Sequence, residues 1–228
     1  MVENIRDRLR ELKVEIARSC EKAGRSPEEI RVIVVTKTHP IEVLQACIDA
    51  GNPDIGENRV WEILQKAPYL QGNRTMHLVG HLQTNKVNKV VPLVQWVHSV
   101  DTEKLAEKLD GQCRALDKKL NVLVQVNTSG EGSKSGCAPA DTVALCEKIS
   151  QYPFLNFRGL MTIGLWGGTE KQTRECFIKL RSIAEQCTQF TGRPCELSMG
   201  MSGDFTIAIE EGATMIRIGT YILGSRSQ

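Results

Sequence analysis

No two of the eight cysteines in this chain stand in C-x-x-C spacing. Zinc sites and stapled secreted domains depend on such patterns, so the scattered Cys20, Cys47, Cys113, Cys137, Cys146, Cys176, Cys187 and Cys195 read as reduced thiols, as in the cytosol. No apolar stretch approaches the length of a membrane span. The first ten residues mix Glu3 and Asp7 with Arg6 and Arg8 and contain no apolar run, which argues against a secretory or transit leader. Charge of one sign is never concentrated: Lys+Arg 29 and Asp+Glu 27 are interspersed, the formal net charge is +2, and there is no basic stripe for nucleic acid or an anionic membrane. Low-complexity linkers and Pro/Gly-rich boundaries are missing too. The expectation is one domain over 1–228, soluble, cytoplasmic, monomeric and complete as given, acting on small molecules.

What is present is ordinary globular material, 41% hydrophobic and 25% charged over 228 residues. Ile5, Leu9, Leu12 and Ile16 recur at helical spacing and predict an amphipathic helix that stops near Gly24, with a short capped helix start at Ser26-Pro27-Glu28-Glu29. Beyond it, short apolar runs alternate with longer amphipathic stretches. Eight strands are expected: Arg31 to Thr36, Asp54 to Gly56, Met76 to Gly80, Trp96 to His98, Asn121 to Val126, Phe157 to Thr162, Glu196 to Ser198 and Met215 to Ile218. A helix from Ile41 to Ala50, another capped by Asp101 or Thr102, one starting near Pro139 and a long one from Glu170 to Phe190 lie between them. Eight βα units in a chain of this length predict a (β/α)8 TIM-type barrel with an extra N-terminal helix; a doubly wound open sheet is the alternative.

In such a barrel the chemistry gathers at the C-terminal ends of the strands. Lys37 closes the first strand, where an amine in a partly desolvated pocket becomes a nucleophile toward a carbonyl. After the seventh strand come Ser198-Met199-Gly200-Met201-Ser202-Gly203-Asp204, and after the eighth Gly219-Thr220, two small-residue turns suited to an anion. Closure makes strand eight the neighbour of strand one, which sets the amine beside the anion cradle. An aldehyde that wants an amine and a phosphate that wants a nest together describe pyridoxal 5'-phosphate (PLP).

Arg217 interrupts the apolar eighth strand and needs a partner, either a carboxylate such as Glu57 or the pyridine nitrogen of the cofactor. An arginine there donates without accepting the ring proton and leaves the ring a weak electron sink. Asn58 at the end of strand two is placed near the lysine, or else caps the next helix with Glu57; His81 after strand three is a structural residue or a proton shuttle; Met161 on strand six packs against a ring. The run from Ser129 to Gly136 fails as a P-loop because Ser133, not glycine, precedes Lys134. It reads as a loop at the barrel mouth, with Lys134 facing solvent or a ligand anion.

As an ordered set, Val35-Thr36-Lys37-Thr38, Gly56-Glu57-Asn58, His77-Leu78-Val79-Gly80-His81-Leu82-Gln83, Val126-Asn127-Thr128-Ser129, Ser133-Lys134-Ser135-Gly136, Arg158-Gly159-Leu160-Met161-Thr162, Leu197-Ser198-Met199-Gly200-Met201-Ser202 and Arg217-Ile218-Gly219-Thr220 resemble the pyridoxal phosphate homeostasis protein family, which shares its barrel with the N-terminal domain of alanine racemase. The resemblance runs end to end. It implies that Lys37 carries the internal aldimine, that Arg217 faces the pyridine nitrogen, that Ser202, Gly219 and Thr220 bind the phosphate, and that Asn58 and Met161 line the ring; Ser198, at the start of the turn that carries Ser202, is counted with the cofactor-binding residues. It departs at Met76, where many relatives have a large residue such as tryptophan, and at Thr36, where many have serine; both bear on pocket shape. The function implied is storage, buffering or delivery of PLP, with PLP-dependent apoenzymes as recipients. A PLP-dependent amino-acid racemase is the alternative, disfavoured because a second acid/base group is not evident. A barrel for sugar phosphates is a third reading.

Overall fold

Each of the eight apolar runs forms a strand, and their hydrogen bonding closes on itself. The computed structural model describes residues 4–132, 135–165 and 167–224. Strands β1 Arg31–Val35, β2 Asp54–Glu57, β3 Thr75–Leu78, β4 Trp96–Val100, β5 Leu120–Gln125, β6 Leu155–Met161, β7 Glu196–Met201 and β8 Met215–Ile218 make a closed barrel in chain order. All neighbours are parallel, and β8 returns to β1 with Arg31 opposite Met215 and Val34 opposite Ile218. This register rules out the open doubly wound sheet.

Helices α1 Ile5–Ala23, α2 Ile41–Asp49, α3 Val60–Lys66, α4 Val87–Val90, α5 Glu103–Ala115, α6 Thr142–Ser150, α7 Glu170–Thr191, α8 Phe205–Glu210 and α9 Thr220–Leu223 surround the barrel. Their ends follow local chemistry. The left-handed Gly24 caps α1, Thr102 Oγ1 accepts from the Leu105 amide to start α5, and Thr169 forms a capping box with Gln172 at α7. The expected short helix at Ser26 is a single 3-10 turn, Pro27–Glu29, in which the Ser26 amide donates to Glu29. The extra helix α1 buries Ile5, Leu9, Leu12 and Ile16 against α8 and α9, and Arg8 donates to the Ile222 carbonyl at 3.0 Å.

Alternation along the strands sorts side chains between two layers. Ile55, Met76, Leu78, Val97, Val122, Val124, Ile216 and Ile218 point outward and join Leu44, Leu105, Leu109 and Phe177 of the helices in one continuous apolar shell. Ile33, Trp96, Leu123, Met161 and Met215 form a separate small cluster inside the barrel. Met76 and Thr36, expected to shape the pocket, lie on the outer side instead: Met76 packs in the shell and Thr36 donates to Glu57 at 2.8 Å. Among the described residues no helix is long and apolar enough to cross a membrane, and no group of three or more His, Cys, Asp or Glu side chains is arranged to hold a metal ion.

Candidate functional site

Pairing of β1 with β8 brings the two predicted halves of the site together. Val34 lies opposite Ile218, so Lys37 and the Gly219-Thr220 turn leave adjacent strands on the same end of the barrel. The approach is close: a Cβ on Gly219 would stand 3.2 Å from the Val35 carbonyl oxygen, so the turn tolerates little beyond glycine there. Ser202, from the turn after β7, reaches across to the same place. Its Oγ accepts from the amides of Gly219 and Tyr221, each at 3.2 Å. Thr220 is exposed beside it. Ser202, Gly219 and Thr220 therefore converge, and the amides bonded to a hydroxyl oxygen show that the turn aims its N–H groups at an oxygen acceptor.

Lys37 is half-buried, and its turn is held from behind. Thr38 takes φ 67°, a left-handed conformation that costs a β-branched residue on the order of 1–3 kcal/mol. Its amide donates to Glu62 Oε1 at 2.6 Å and its hydroxyl to the Lys37 carbonyl at 2.6 Å. On the other flank, Thr36 bonds to Glu57, and Lys66 Nζ joins Glu57 and Glu62 at 2.9 and 3.0 Å. This buried island of two carboxylates and one ammonium braces the backbone on both sides of Lys37. Burial pushes the Glu57 carboxyl up from its ordinary value, and the hydrogen bond and charge of Lys66 oppose that shift.

Glu57 is thus committed to Lys66, and the carboxylate partner expected for Arg217 is not there. Arg217, 5% exposed, donates through Nη1 to Ser198 Oγ and through Nη2 to the Thr162 carbonyl, both at 2.7 Å. Burial draws the guanidinium down to about 10, with the Asp204 carboxylate acting in the opposite direction, so it is a cation at neutral pH. Ser198 was expected at the start of the turn. It lies within β7, because the strand runs on to Met201 across a bulge between Ser198 and Met201, and its hydroxyl serves Arg217 and His98. Gly200 permits this continuation: its φ is 91°, and a Cβ there would meet the Ala208 methyl at 2.6 Å.

The remaining expected residues ring the same end. Asn58, half-buried, follows β2 directly, and Met161, fully buried, ends β6 opposite Ser198. His81 is more than half exposed and stands 3.9 Å from Asp101 Oδ2 on the rim, while Lys134 lies outside the described residues. Beyond β5 and β6 is a small, partly open recess lined by Asn127, Ser129, Thr162 and Gly164 among others. Sequence reading gives no site role to Asp54, His77 and His98, which line the barrel below Arg217. The available signal was a histidine inside each of two apolar strands, each at the alternation that closure turns inward.

The fold and this mouth define a closed parallel barrel with an amine at the end of its first strand and an anion-type turn at the end of its last. A model of the alanine racemase N-terminal domain matches residues 9–227. The pyridoxal phosphate homeostasis protein of Vibrio alginolyticus is 42% identical over 212 residues, covering 90% of this chain and 91% of its own. Among solved structures, a protein of unknown role from Bifidobacterium adolescentis superposes with a TM-score of 0.91 at 38% identity, over 97% of this chain and 95% of that one. PipY of Synechococcus elongatus, solved with PLP bound, gives 0.85 at 36% identity over 96% and 100%. Alanine racemase of Clostridium difficile shares the fold, at 0.81 and 14% identity, over 99% of this chain and 58% of that one. The chain belongs to the pyridoxal phosphate homeostasis protein family.

Proposed function

We propose that residues 1–228 form a single barrel domain that binds PLP and acts in its cytoplasmic homeostasis, storing, buffering or delivering the cofactor to PLP-dependent apoenzymes. The observation that carries this reading is the β1–β8 register, which puts the Lys37 turn against Gly219. When bound, PLP supplies an aldehyde that reacts reversibly with amines. Lys37 offers the amine. Ser202, Gly219 and Thr220 hold the phosphate, Arg217 donates to the ring nitrogen while Ser198 holds its guanidinium, and Asn58 and Met161 flank the ring.

The same residues favour binding over turnover. A donor-only arginine at the ring nitrogen does not protonate it, which weakens electron withdrawal. Racemisation requires a second acid/base group across the ring from the lysine. Tyr221, the tyrosine nearest the anion turn in sequence, packs edge-on against Phe205 at 5.8 Å, and its hydroxyl feels Glu15 and Glu11 of α1, on the outer side of the barrel. The proposed binding unit is a monomer.

Addition of PLP to cofactor-free protein is expected to give a yellow complex, and incubation of that complex with L-alanine to give no D-alanine. A colourless protein that takes up sugar phosphate but not PLP would overturn the cofactor assignment. Accumulation of D-alanine that disappears in Lys37→Ala would favour the racemase.

A further inference from the structure

The polar contacts inside the barrel do not end at Ser198. Its hydroxyl lies 3.0 Å from His98 Nδ1, His98 Nε2 lies 3.0 Å from His77 Nδ1, and His77 Nε2 lies 2.9 Å from Asp54 Oδ1. These groups sit on β7, β4, β3 and at the first residue of β2, so the series descends from the mouth to the N-terminal end of the barrel. His77, His98 and Ser198 are fully buried, while the Asp54 side chain is 18% exposed.

Hydrogen-bond chemistry fixes the direction of the series. A carboxylate only accepts, so His77 must donate from Nε2. A neutral imidazole has one N–H, so His77 Nδ1 accepts and His98 donates from Nε2. His98 Nδ1 then accepts, and the Ser198 hydroxyl is its donor. The lone pairs left on Ser198 Oγ receive Arg217 Nη1 at 2.7 Å. Arg217, which only donates, is accommodated by this direction because the serine oxygen still has a lone pair to receive it. Every hydrogen points from Arg217 toward Asp54, and each histidine has a single permitted tautomer.

Resting on the reading of Arg217 as the partner of the ring nitrogen, we propose that Ser198, His98, His77 and Asp54 are positioning residues, a one-way hydrogen-bond chain that sets the orientation of the Arg217 guanidinium from the opposite end of the barrel. The chain cannot work as a proton relay. Its hydrogens run from Arg217 toward Asp54, so a relay would have to begin with a proton given up by an arginine that stays charged at neutral pH. Its effect is orientational: with Nη1 fixed by the chain and Nη2 by the Thr162 carbonyl, the remaining N–H groups have one direction left. Neutral imidazoles are required, since a second N–H on His77 would face the N–H of His98. The charged surroundings agree. Burial lowers the His77 value, with Arg31 adding to this against Asp54 and Glu196, and burial lowers His98 further, reinforced by His77, Arg217 and Arg31.

The chain is tested in cofactor-free protein by nitrogen-15 NMR of labelled histidines at pH 7.5. Two neutral Nε2–H rings assigned to His77 and His98 are expected; an Nδ1–H ring or an imidazolium at either position overturns the proposal, whatever PLP does. Orientation of Arg217 is tested with PLP itself. Asp54→Ala is expected to weaken PLP binding by about tenfold, the worth of one good hydrogen bond, and to displace the visible absorption of the complex. Asp54→Asn, which restores an accepting oxygen, should return both toward the parent. Ser198→Ala cuts the chain beside Arg217 and should reproduce the Asp54→Ala spectrum. A folded Asp54→Ala or Ser198→Ala protein with the parent affinity and spectrum contradicts the proposal, whereas failure of the parent chain to bind PLP contradicts the cofactor reading and leaves the NMR result standing.

Discussion

The same eight strands carry two different interiors. Their outward side chains meet the helices in a continuous apolar shell, Leu44, Ile55, Leu105, Leu109 and Phe177 among its fully buried members. Their inward side chains combine a five-residue apolar cluster with a buried series of ionisable and hydroxyl groups from Asp54 to Arg217. The shell is satisfied by any well-packed apolar set, because dispersion and burial are nearly indifferent to direction. The inner layer is not, because each polar group needs a named partner at hydrogen-bond distance. Stability and binding are therefore separable in this barrel, the first residing mostly outside the strands and the second inside.

The largest break in that comparison comes from the shell. Phe177→Ala removes a fully buried ring of α7 and is expected to cost about 3–5 kcal/mol in denaturant unfolding. PLP affinity of the folded fraction should not change; a parallel loss of affinity would show that shell and mouth are one unit. A smaller effect isolates the inner layer. Burial lowers the folded-state values of His77 and His98, so as pH falls below about 6.5 the unfolded chain takes up protons that the folded chain refuses. Stability is then full above that pH and declines below it, at about 1.4 kcal/mol per pH unit for each imidazole. The raised Glu57, Asp101 and Asp204 carboxyls act in the opposite sense, so the informative quantity is the difference between parent and His98→Gln unfolding curves from pH 6.5 downward. Equal slopes for the two proteins would mean that His98 is not held neutral by burial. Smallest of all is Val14→Ser on the solvent side of α1, which belongs to neither layer and should shift stability by less than about 0.5 kcal/mol.

The division also explains what could be read from sequence. The shell announces itself through periodicity: α1, β1, β5 and α7 fall within a residue or two of where their apolar spacing puts them. The site's two halves were legible once closure was assumed, because Lys37 and Gly219-Thr220 follow strands that a barrel must pair. Partners were not legible. Nothing in the spacing says that Glu57 turns outward to Lys66 while Ser198 turns inward to Arg217, since alternation fixes opposite faces and only the register fixes which face is which. Strand seven ended too early for a related reason: Gly200 reads as a turn residue, yet it stays in β7 because α8 packs on its bare Cα. His77 and His98 gain no site role from sequence because a histidine in an apolar run carries no sign of what lies across the barrel.

The separation of layers rests on an inward-facing site centred on one amine. Its most direct test is borohydride reduction of the PLP-loaded protein followed by proteolysis and peptide mass analysis. The account predicts a single pyridoxyl adduct on Lys37, lost when that residue is alanine. An adduct on Lys134, Lys118 or any other lysine, with Lys37 unmodified, would contradict it.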